Sequence, residues 1–91
     1  MTILAKKNTR DEHNKVTTQF IDLANQLKDK GHDIELIAAA LMSASGIYTT
    51  YTVAGDQGYL QPAGVDKVAA RYKENLTYIQ EIKKAAAKAS W

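Results

Sequence analysis

The chain has no cysteine, so neither a disulfide nor thiol chemistry is open to it, a usage that fits a reducing compartment. Its first ten residues, MTILAKKNTR, lack the apolar core and small-residue cleavage site of a secretory signal, and the expectation is a cytoplasmic protein. A strong charge imbalance is also missing. Over 91 residues the net charge is +2, too small to imply a polyanionic partner. The distribution is uneven, with Lys6, Lys7 and Arg10 at one end, Lys83, Lys84 and Lys88 at the other, and a mildly acidic body between.

The most telling absence lies in the middle. Charged residues make up 24% of the chain, yet none occurs from Leu36 to Gly55, LIAAALMSASGIYTTYTVAG. A helix over this segment has no charged face to turn to water, so protein should cover most of its circumference. A membrane span is disfavoured. Ser43, Ser45, Thr49, Thr50, Thr52, Tyr48 and Tyr51 dilute the apolar run, and its flanks are Asp33, Glu35 and Asp56 in place of basic anchors.

Around this segment the pattern predicts three helices, at about 9–30, 34–54 and 65–88. The first opens at Thr9 with Glu12 three residues on, the signature of a capping box. It carries Val16, Phe20, Leu23, Ala24 and Leu27 at helical spacing and stops at Gly31. Asp33 caps the second, whose core stripe is expected to be Ile34, Ile37, Leu41, Ala44, Tyr48 and Tyr51. Residues 55–64, GDQGYLQPAG, hold three of the five glycines and the only proline, and read as a loop. Val68, Ala69, Tyr72, Leu76 and Ile79 line the third helix. The expected fold is therefore an all-α, up-down-up bundle of three helices over residues 9–83, with a flexible arm at 1–8 and a basic tail at 84–91, assembled as a homodimer.

Chemistry finds little to work with. Nucleophilic catalysis needs a nucleophile, a base and an orienting group within reach of one another. His13 and His32 lie near opposite ends of the first helix, roughly 28 Å apart, so they share neither a metal nor a serine. Asp29, His32, Asp33 and Glu35 cluster at the first turn, where helix capping accounts for the acids before a metal does. Lys67, Arg71 and Tyr78 share a flank of the third helix but are interrupted by Asp66 and Glu74, which disfavours a nucleic-acid surface. No enzyme, cofactor or metal site is expected.

The strongest hint is the small, neutral side of the second helix, formed by Ala38, Ala39, Met42, Ser45, Gly46, Thr49 and Val53. It would let another backbone approach closely, and a two-fold contact is the commonest solution. The expected role is thus a non-enzymatic interaction or accessory protein that self-associates or binds a partner protein there. The alternative is a binding protein for a small ligand or nucleic acid, using Tyr59 and Leu60 of the 55–64 loop and Lys83, Lys84 and Lys88 as anion contacts. The order FIDLAN, then AAALMSASG, then RYKENLTYI over residues 20–80 resembles a family of small bacterial helical proteins of uncharacterised function. That resemblance implies a compact helical domain and a bacterial source, and transfers no active site.

Overall fold

A computed structural model describes residues 9–55 and 58–89, without the side chain of residue 89. The protein is all-α, with helices α1 (Arg10–Asp29), α2 (Ile34–Ala54) and α3 (Pro62–Ala89) and no strand among the described residues. Backbone proximity divides the chain into two compact units, Met1–Ala44 and Ser45–Trp91, with the boundary falling inside α2.

The first unit is organised by its turn. Thr9 Oγ1 accepts from the Glu12 backbone N–H at 3.1 Å, which starts α1. At the other end Gly31 takes φ +103°, a left-handed conformation that an L side chain rarely adopts. Gly31 N–H donates to Lys28 O at 2.9 Å and His32 N–H to Leu27 O at 3.1 Å, the paired bonds of a Schellman stop. Two residues on, the Asp33 carboxylate accepts from Glu35 N–H at 3.0 Å and Leu36 N–H at 3.4 Å and starts α2. Burial gathers beside this turn. Ile37 is buried, 8% exposed, and Ala24 and Leu27 are half-buried.

The second unit contains residues 45–54 of α2, the loop and α3. Gly55 N–H closes the last turn of α2 on Tyr51 O at 2.8 Å. Pro62 then begins α3 three residues ahead of the expected start at Val65. Its missing N–H costs nothing in a first turn, and Val65 N–H already donates to Gln61 O at 3.0 Å. Leu60 is half-buried, and a Cβ added at Gly64 would lie 3.5 Å from its side chain, so this leucine lies over the first turn of α3. Tyr59, its neighbour in the loop, is exposed. The helix continues to Ala89 through Lys83 and Lys84, whose runs of Ala and Lys favour helix without needing burial.

The periodic stripes are present on all three helices, but burial is sparse. Phe20 and Leu23 on α1, Tyr48 and Tyr51 on α2, and Tyr72 and Leu76 on α3 are all exposed. Ordinary burial of the tyrosines at 48, 51 and 72 was the sequence expectation, and it does not hold within one chain. Periodicity places these rings on one face of a helix; it does not supply a neighbour to lie against that face.

Replacing Gly31 by Ala should lower stability by about 1–2 kcal/mol, the cost of forcing a Cβ into left-handed backbone. A urea titration followed by circular dichroism checks this. An unchanged midpoint would mean that the turn does not hold its two helix ends in place.

Candidate functional site

The residues with unmet physical demands belong to α2. Successive side chains advance 100° around a helix, so Met42 and Val53 fall on one side, Leu36 and Ile47 on a second, and Tyr48 and Tyr51 on a third. All six are more than half exposed, with Ile47 at 72%, Tyr48 at 68% and Met42 at 60%. The apolar surface therefore encircles the helix. Such a helix is ordinarily a core helix or a membrane span; here it carries no charge beyond Glu35 in its first turn, and Ile37 is its one buried residue among those described.

Two of the seven hydroxyl-bearing side chains of α2 turn back onto the helix itself. Thr50 Oγ1 donates to Gly46 O at 2.8 Å, and Thr52 Oγ1 donates to Thr49 O at the same distance. A threonine bonded back to its own helix has satisfied its donor. The helix is also 21 residues long with a mean hydropathy of 1.3 over its most apolar window, long and apolar enough to cross a membrane by length and composition.

Of the small-sided set, Ala38, Ala39, Met42, Ser45, Gly46 and Val53 are exposed, and Thr49 is half-buried. A Cβ added at Gly46 would meet nothing within 4 Å. Gly46 lies nine residues, or two and a half turns, beyond Ile37, and so on the opposite side of α2 from its buried residue. A mid-helix glycine costs about 1 kcal/mol relative to alanine, and here nothing in the chain requires one. Ile3 and Leu4 of the arm, which could have covered this side, lie outside the described residues.

Near the C-terminal end of α2 a shallow recess of about 450 Å³ is lined by Ile47, Tyr48, Thr50, Tyr51, Gly55 and Gly58. The two tyrosine rings lie 6.0 Å apart, tilted by 37°. Its walls are the same exposed apolar side chains, and its lining hydroxyl on Thr50 is already bonded to Gly46 O. A small-molecule site needs a concave pocket that takes up most of the ligand surface and a few converging polar groups. This recess has the apolar lining without the convergence.

The remaining candidates separate. Tyr59, Lys83, Lys84 and Lys88 are exposed, and Leu60 is engaged over Gly64. Asp33 spends its carboxylate on the α2 cap, and His32 N–H on Leu27 O. Among the described residues no group of three His, Asp or Glu side chains could hold a metal ion. The sequence pattern places Tyr48 and Tyr51 on the core stripe; the signal that they lack cover is the absence of charge from Leu36 to Gly55. Scans against protein-family models, curated proteins and solved structures each return no match to this chain, so no residue role comes to it from a relative.

The floor of the recess depends on Gly58. A Cβ there would collide with the Ala54 carbonyl oxygen and approach Ala54 Cβ to 2.8 Å. Gly58→Ala should therefore displace the loop and cost about 1–3 kcal/mol, read as a lowered thermal midpoint and faster amide exchange at 55–61. Wild-type values in both would show that the loop does not rest on the end of α2.

Proposed function

We propose that this protein is a small, non-enzymatic interaction protein whose docking element is α2, covered in its working state by another polypeptide. One observation carries the reading: six large apolar side chains spaced around a helix that carries no charge beyond Glu35 in its first turn are each more than half exposed. Full burial of such a side chain is worth roughly 1.5–3 kcal/mol. Covering the open part of six would release on the order of 5–10 kcal/mol, comparable to the whole net stability of a domain this size. That is a gross gain, set against the roughly 4–15 kcal/mol that association costs in lost freedom.

Catalysis is not part of the proposal, because no nucleophile, base and orienting group come together at this surface. Nucleic-acid recognition through Lys83, Lys84 and Lys88 has exposure in its favour, but Glu81 lies beside them and the net charge of the chain is only +2.

The test is native size, measured by sedimentation velocity on tagged chain in clarified lysate and again after purification. Wild type should sediment above the 10.0 kDa monomer in at least one setting. Met42→Glu and Ile47→Glu should each return it to monomer with the helical dichroism intact. An uncompensated buried charge costs several kcal/mol, so association should weaken at least a hundredfold. Monomeric wild type in both settings, indistinguishable from the variants, would overturn the reading.

A further inference from the structure

We draw no further inference here: the strongest candidate, the apolar surface of α2 left exposed at Met42, Ile47 and Tyr48, carries nothing because nothing in the structure shows what covers it.

Discussion

An α-helix satisfies its own backbone hydrogen bonds, so the surroundings decide only the fate of its side chains. In α2 those side chains ask for an apolar environment on every side. From Leu36 to Gly55 no ionised group can hold any part of the helix in water, and the threonines at 50 and 52 turn their hydroxyls onto the helix's own carbonyls. The other features follow from that demand. α1 and α3 are conventional amphipathic helices with one stripe each, and the turn that joins α1 to α2 is tightly specified. The remaining deficit is cover, and it concentrates on the central helix.

Local structure and cover are thus decided by different parts of the sequence. Thr9, Gly31 and Asp33 settle helix ends through single hydrogen bonds and one left-handed residue, interactions that require nothing beyond a few neighbours along the chain. Ile37, Ala24 and Leu27 provide what burial the first unit has, beside that turn. The large aromatic and aliphatic groups farther from it, Phe20, Tyr48, Tyr51 and Tyr72, are exposed. A protein organised this way has helix ends fixed by its own chain and apolar helix sides that lie exposed among the described residues.

The helices were largely legible in the sequence because capping residues and a 3.6-residue period are local signals. α3 was set too late because Pro62, surrounded by glycine, reads as loop punctuation when it is in fact the first helical residue. Leu60 lies over the first turn of α3, whereas its neighbour Tyr59 is exposed. The tyrosines were misjudged for a different reason. A stripe specifies which side chains share a face, while burial depends on tertiary neighbours that no pattern within a single helix encodes. The small side of α2 was visible from composition alone, but its opposition to Ile37 and the open space at Gly46 required coordinates.

If a second chain completes the cover of α2, folding and association draw on one free energy and the protein is more stable when more concentrated. Thermal unfolding followed by circular dichroism at 1 and 100 µM tests that link most directly. The account predicts a midpoint several degrees higher in the concentrated sample, at unchanged helical content before the transition. Identical midpoints across that hundredfold range would contradict it, and would show that folding does not draw on self-association.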